Sequence, residues 1–396
     1  MACPCKLFEA VELSSAVFLG GLLADCSRPE GFNDYLMLKN LKVSNFRCFK
    51  ELHLENLRHV NVVVGRNAAG KTAVLEAIKV GLDASPGVMP WLNQNRNIPT
   101  VLPANPSGDQ FQDLFRDFFY DFDIAREIEI WMQDSQQATA SLRIYFDPKK
   151  AITTQMSIGF QRVPASVPNT IVPLAFERLD FNNQKSTAYA TTKPDGMMFF
   201  EPVGPMGPHS GFFPHSHFGN PPESAAWLSN LNVQKRGDEV VDAIRRHFPF
   251  IKGLTSETPF PGIGGTVYAD IPALPRRIPL SLVSGGISRL FSFVLAIVTL
   301  KGGVVFIDEI ENGIFYDQYP LVWKTIIDLA DDQKTQLFIT THSNECLQAL
   351  LPILSRNERD FSLLRVEKEN GTSHVAQFTG KEFEDALGRG GEIRSK

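Results

Sequence analysis

Apolar and polar residues alternate from Leu41 to Phe46, which predicts a half-buried strand, and Leu52 and Leu54 predict a second strand after a turn. Val60-Asn61-Val62-Val63-Val64 is a β-branched run closed by Gly65 and reads as a buried strand. The period then changes. From Ala73 to Leu82, the residues Val74, Leu75, Ile78 and Leu82 share one face of a helix. The Pro- and Asn-rich stretch from Ser85 to Pro106 predicts a loop. Ile124 to Trp131 and Ala138 to Phe146 predict an antiparallel hairpin, and residues 151–200 more short strands. Glu201 to Pro222, rich in Pro and Gly with Phe212 and Phe213 interleaved, predicts a long loop. Helices are expected at Asp238–His247, Gly286–Leu300 and Pro320–Leu329, and strands at Val304–Ile307 and Gln336–Thr340. Strands alternate with helices at both ends of the chain. The expected class is therefore α/β: a mainly parallel sheet flanked by helices, with an antiparallel β lobe and a helical and loop insertion. No internal repeat and no heptad seam is present, so no coiled-coil arm is expected.

Composition narrows this. Hydrophobic residues make up 43% and charged residues 21%, which excludes a disordered chain. The apolar run from Leu290 to Leu300 is broken by Ser292 and Thr299, so it reads as a buried helix and not a membrane span. A net charge of −5 gives no global field for nucleic acid. Five cysteines in 396 residues make no disulfide framework. Ala16 to Ala24 resembles a short signal core, yet Glu9 and Glu12 balance Lys6, and Asp25 is a poor neighbour for Cys26 as a cleavage site. Residues 1–36 are thus expected to be an extension, disordered or owed to an upstream start. The folded domain is expected at 37–396, divided at 37–150, 151–275 and 276–396. A cytoplasmic location without membrane attachment follows from this reading.

Four motifs carry chemistry. Gly65-Arg66-Asn67-Ala68-Ala69-Gly70-Lys71-Thr72 has the P-loop spacing and lies between a strand and a helix. Its N–H groups and the following helix dipole cradle phosphates, Lys71 neutralises them, and Thr72 is a ligand for Mg²⁺. Val304-Val305-Phe306-Ile307 ends in Asp308-Glu309, two carboxylates at the end of a buried strand. Such a pair is costly unless something binds it. With a P-loop nucleotide, Asp308 holds the metal and Glu309 acts as general base. Glu311 lies nearby, open to either a catalytic role or a structural one as cap or salt-bridge partner. His342 follows a third strand at the end where open parallel sheets bind ligands, placed to sense a γ-phosphate. Ser284-Gly285-Gly286 precedes a long helix, with Ser284 as N-cap.

In this order the motifs resemble the ATP-binding cassette class of P-loop ATPase, in its SMC/RecF-like branch. The likeness is strongest to AAA-type ATPases such as the ATPase part of OLD-family proteins. Leu38 to Lys50 resembles the branch's opening strand with its Asn45-Phe46-Arg47 turn, Ile307 to Gly313 its acidic segment, and Gly390 to Arg394 its tail. The resemblance implies binding of ATP and Mg²⁺, with Arg47 among the nucleotide contacts. It also implies an ATP-dependent homodimer in which Ser284, Gly285 and Gly286 reach the nucleotide of the partner subunit, supported by Arg289. Here Phe315 stands where relatives carry His, no glutamine follows the signature glycines, and Gln155 and Gln161 are the candidates for a Q-loop. No room is expected after His342 for the nuclease domain of OLD proteins, so a nuclease or toxin effector would be a separate protein.

The expectation is an ATP-hydrolysing switch in DNA maintenance or phage defence, with DNA as a possible ligand. Its rivals are a nucleotide-gated scaffold and a transporter subunit; the long stretch between Lys71 and Ser284 argues against the latter. His209, His215 and His217 lack metal-site spacing. Arg245-Arg246 and Arg276-Arg277 read as solvated surface.

Overall fold

The computed structural model describes residues 35–154, 169–202, 210–213, 221–258, 264–354, 360–369, 371–380, 382–383 and 385. The expectations for residues 1–34, Gln155, Gln161, His209, His215, His217 and the 390–394 tail lie outside the described residues. The chain opens with β1 (Leu38–Phe46) and β2 (Phe49–Leu54), and β3 (Val60–Gly65) leads into α1 (Lys71–Asp83), α2 (Val88–Asn95) and α3 (Gly108–Arg116). A strand-rich stretch follows: β4 (Ile128–Asp134), β5 (Thr139–Phe146), β6 (Ile152–Thr154), β7 (Asn169–Ile171), β8 (Leu174–Leu179), β9 (Lys185–Thr192), β10 (Met198–Phe200) and β11 (Ser210–Phe213). Helices α4 (Pro221–Val233) and α5 (Gly237–Arg245) precede β12 (Gly253–Glu257), β13 (Thr266–Asp270) and β14 (Ile278–Pro279). The final part holds α6 (Leu280–Val283), α7 (Gly285–Thr299), β15 (Val304–Ile307), α8 (Tyr319–Gln333), β16 (Gln336–Thr340), α9 (Asn344–Gln348), α10 (Leu351–Leu354), β17 (Phe361–Glu369) and β18 (Thr372–Thr379).

Two large sheets result. One has the order β11-β15-β16-β3-β17-β18 and is parallel except for its last pair. The other, β10-β9-β8-β5-β4-β1-β2, is antiparallel throughout. The expected mainly parallel sheet is the six-stranded one, whereas the expected antiparallel lobe is larger than a lobe, a full sheet of seven strands. The physical reason lies in the connections. β1–β2, β4–β5 and β8–β9 are joined by short turns, and a short turn can only make antiparallel neighbours. The connections among β3, β15 and β16 carry helices and yield parallel neighbours.

The parallel sheet is covered on both faces, and its strands divide their side chains between two cores. Val60, Val62, Val305, Ile307, Leu337 and Ile339 face one core with α4, α5, α7 and α8. Val63, Val304, Phe306, Phe338 and Leu364 face the other, with α1 and the antiparallel sheet. Helix α1 thus lies between the two sheets, which is why Val74, Leu75, Ile78 and also Val80 are all buried. Gly81 permits the close approach: a Cβ there would lie 2.8 Å from Ile130 Cγ2. A buried amide ties the sheets at one end. Gln336 accepts from the Leu38 N–H at 2.9 Å and donates to the carbonyls of Leu38 and Arg58.

Two loop expectations are also corrected. The Ser85–Pro106 stretch contains α2, because Met89 and Leu92 find apolar cover in the same core as α1. The 201–222 stretch contains β11, which pairs in parallel with β15, and Phe212 packs near Phe306 with ring centroids 6.2 Å apart. Both signals were masked by Pro and Gly, whose local preferences tertiary pairing overrode. No helix among the described residues is long and apolar enough to cross a membrane.

Phe306 is fully buried and stacks on Phe338 with centroids 5.6 Å apart. Replacing it by alanine is expected to cost about 3–5 kcal/mol in denaturant-unfolding stability. Phe199→Ala, at a position 45% exposed, is expected to stay within about 0.5 kcal/mol of wild type.

Candidate functional site

β3 ends at Gly65 with φ 150°, and the loop turns through Ala68 at φ 62° and Gly70 at φ 116° before α1 begins. These are left-handed values that favour glycine at two of the three positions. A Cβ at Gly65 would collide with the Val366 carbonyl oxygen, and one at Gly70 would lie 2.6 Å from Cys48 Sγ. The spacing of the two glycines therefore reflects packing against β17 and the β1–β2 turn as well as access for a ligand. Helix α1 has no side-chain cap, since its N-cap is Gly70, whereas α7 is capped by Ser284 and α9 by Ser343. Its first-turn N–H groups are the kind of donors that bind an anion.

Lys71 folds back over the loop and donates to the carbonyls of Gly65 at 3.0 Å and Arg66 at 3.2 Å. Burial pushes its ammonium below the ordinary lysine value, against the opposing pull of Glu309, Asp308 and Glu311. Thr72, one residue on, donates to both oxygens of Asp308 at 3.1 and 3.0 Å. The P-loop and the acidic pair, far apart in sequence, meet at this bond.

Register explains the meeting. β15 and β16 pair in parallel with Ile307 beside Ile339, and β16 pairs with β3 with Thr340 beside Val63. The next residue along β15 is Asp308, so it emerges beside Thr340. The Thr340 hydroxyl donates to Asp308 Oδ1 at 2.6 Å and accepts the Glu309 N–H at 2.7 Å. Glu309 then takes φ 49°, turning the chain away from the strand. Arg289 from α7, itself buried, donates to the carbonyls of Asp308 at 2.9 Å and Glu309 at 3.2 Å. Asn312 donates to Glu309 Oε2 at 2.7 Å.

His342 lies just beyond β16. Its Nδ1 is 3.6 Å from Glu309 Oε1 and 3.0 Å from Glu311 Oε1. Glu311 Oε1 also accepts the backbone N–H groups of His342 at 2.7 Å and Ser343 at 3.1 Å. Lys71, Thr72, Asp308, Glu309 and His342 are thus brought to one end of the parallel sheet. A hydroxyl beside a carboxylate, an ammonium on the phosphate loop and uncapped helix N–H groups form a donor set that fits a nucleoside triphosphate with a divalent cation.

The other expected residues lie elsewhere. Arg47, in the turn between β1 and β2, reaches α1 one turn beyond Thr72: it pairs with Glu76 at 3.1 Å, donates to Asn93 and the Asp117 carbonyl, and lies 3.9 Å over the Phe118 ring. Burial pushes its guanidinium pKa below the ordinary arginine value, opposed by Glu76. Ser284, Gly285 and Gly286 join the acidic turn. A Cβ on Gly286 would lie 3.1 Å from the Gly313 carbonyl oxygen, while Ser284 Oγ accepts from the Ile287 N–H. Arg245 and Arg277 are exposed and paired, with Asp242 and Glu257 respectively. Sequence reasoning missed Thr340 and Asn312. Thr340 was detectable in principle, since a threonine aligned with Asp308 in parallel neighbours is well placed to bond it.

The model of the family described as "AAA domain, putative AbiEii toxin, Type IV TA system" matches residues 60–347. A protein of Helicobacter pylori named ATP/GTP phosphatase is 22% identical over 351 residues, spanning 82% of this chain and 90% of its own. The DNA replication and repair protein RecF of Clostridium tetani is 51% identical over 43 residues, 11% of this chain and 12% of its own. Among solved structures, an SMC head bound to the C-winged helix domain of ScpA covers 89% of this chain and 99% of its own at 13% identity and TM-score 0.48. The family match takes in the phosphate loop, the acidic pair and His342, and this chain belongs to that AAA-domain family.

Proposed function

We propose that this protein binds Mg²⁺·ATP in the cleft between the P-loop and the acidic pair and hydrolyses it. The observation that carries the reading is the bond between the Thr72 hydroxyl and the Asp308 carboxylate. Those are the two oxygen ligands that a nucleotide-bound Mg²⁺ needs from the protein, and they already face each other. ATP would be the substrate, and a Mg²⁺ ion held by Thr72 and Asp308 would offset the charge on its phosphate oxygens. Lys71 exchanges the carbonyls of Gly65 and Arg66 for phosphate oxygens. Glu309, steadied by Asn312 and by the Thr340 and Arg289 contacts to its backbone, takes the proton of the attacking water. His342 reports on the γ-phosphate from the end of β16. Ser284, Gly285 and Gly286 serve the partner subunit's nucleotide in an ATP-dependent homodimer, which makes hydrolysis a timed switch.

The biological setting is read from the relatives. The family description names a toxin–antitoxin system and RecF is named for DNA replication and repair. Both favour a cytoplasmic protein that acts in phage defence or DNA maintenance, with a separately encoded nuclease or toxin effector and with DNA as a second ligand.

Lys71→Ala is expected to weaken ATP binding about 10–100-fold in equilibrium dialysis, the scale of a lost charge-assisted hydrogen bond. Unchanged affinity would remove the phosphate role of that lysine. Glu309→Gln is expected to keep ATP binding, lower kcat by about 10²–10⁴, and accumulate a dimer on gel filtration with Mg²⁺·ATP. A variant that hydrolyses ATP at the wild-type rate would refute the general-base assignment.

A further inference from the structure

Ala69, inside the phosphate loop, is only 4% exposed, and a carbonyl removed from water needs a donor from the protein. The donor comes from the far end of the chain. Ser373, 304 residues on and fully buried, donates its hydroxyl proton to the Ala69 oxygen at 2.7 Å. It lies on β18 opposite Lys368, close to the turn of the β17–β18 hairpin. β17 pairs with β3 as far as Val366 beside Gly65, so the hairpin runs on past the end of β3 and along the loop. Serine hydroxyls usually bond backbone groups close by in sequence. This one bonds the phosphate loop instead.

That bond orients a peptide plane. The Ala69–Gly70 peptide is trans, so its C=O and N–H point in opposite directions. Local sterics do not set the plane, because a glycine at position 70, with φ 116°, tolerates rotations that a Cβ would block. The Ser373 hydroxyl does set it. With the Ala69 oxygen drawn toward β18, the Gly70 N–H is turned away from β18. In the order β15-β16-β3-β17-β18, that direction leads toward β16 and β15, where Thr72 meets Asp308. Resting on the nucleotide-binding reading above, we infer that Ser373 is a positioning residue for the nucleotide: it locks the Ala69–Gly70 peptide so that the Gly70 N–H faces the phosphates before they arrive. The group served is one shared by nucleoside diphosphates and triphosphates, since the backbone N–H groups of such a loop cradle the α- and β-phosphates while its lysine reaches the β and γ. A donor fixed in advance binds more tightly because less ordering remains to be done on binding.

The sequence offers a direct probe, because Ala69–Gly70 is the one Ala-Gly step in the 396 residues. Protein labelled with carbon-13 at alanine carbonyls and nitrogen-15 at glycine amides therefore gives a single filtered NMR signal, that of the Gly70 N–H. In wild type this signal is expected to move downfield when Mg²⁺·ADP is added, as the amide gains an anionic acceptor. In Ser373→Ala without nucleotide it is expected to shift and broaden. Equilibrium dialysis of that variant is expected to show about 3–10-fold weaker binding of ADP and ATP alike, the scale of one hydrogen bond. A Gly70 signal that stays in place while wild type binds ADP, a signal unchanged by Ser373→Ala, or a loss of affinity confined to ATP overturns the assignment. If the alanine variant fails to fold, the wild-type titration decides alone. A wild type that binds neither nucleotide sinks the nucleotide reading instead, and the unliganded signal of Ser373→Ala then decides whether the serine sets the peptide plane.

Discussion

Asp308 is a carboxylate 1% exposed to solvent, and its burial governs how the rest of the molecule is arranged. A buried charge needs donors, and here they come from two separate places: the Thr72 hydroxyl on α1 and the Thr340 hydroxyl at the end of β16. Each donor demands an element in a fixed position. Thr72 requires the P-loop to deliver α1 at the sheet's end, and Thr340 requires β16 to run parallel to β15 in its present register. The left-handed turn at Glu309 and the Arg289 contacts to the two carbonyls then complete a rigid acidic corner.

The same geometry explains why the antiparallel sheet is large. A helix beginning at the P-loop covers one face of the parallel sheet, but α1 is only 13 residues long and is buried on nearly every side. Something must cover its far side. The seven-stranded sheet does so with Ile130, Met132 and their neighbours, and the absence of a side chain at Gly81 lets β4 approach. The Gln336 amide holds β1 to the end of β16, so both sheets keep one spacing around the helix.

Much of this was legible in the sequence, for physical reasons. The Val60–Gly65, Val304–Ile307 and Gln336–Thr340 strands were readable because full burial on both faces leaves continuous apolar runs. The P-loop and the acidic pair were readable because phosphate and metal chemistry constrain residue type and spacing together. β11 was not readable: four residues amid Pro and Gly carry no period, and only pairing with β15 makes them a strand. α2 was hidden in the same way. Thr340 and Asn312 escaped because their contribution depends on cross-strand register and on a turn at positive φ, neither of which leaves a mark along one dimension. Glu311 was visible as an acid, but its direction toward His342 was not.

The short β11 strand has a consequence for how the protein stays apart from copies of itself. β15 is a wholly apolar Val-Val-Phe-Ile segment, the composition that templates intermolecular cross-β growth when its rim is bare. β11 occupies that rim and offers in exchange only four residues of its own. At the opposite rim, Gln377 of β18 accepts the Glu55 N–H just beyond β2. Loss of the 210–213 segment would therefore leave the P-loop and the acidic pair in place yet convert a buried strand into a nucleus for fibrous aggregation.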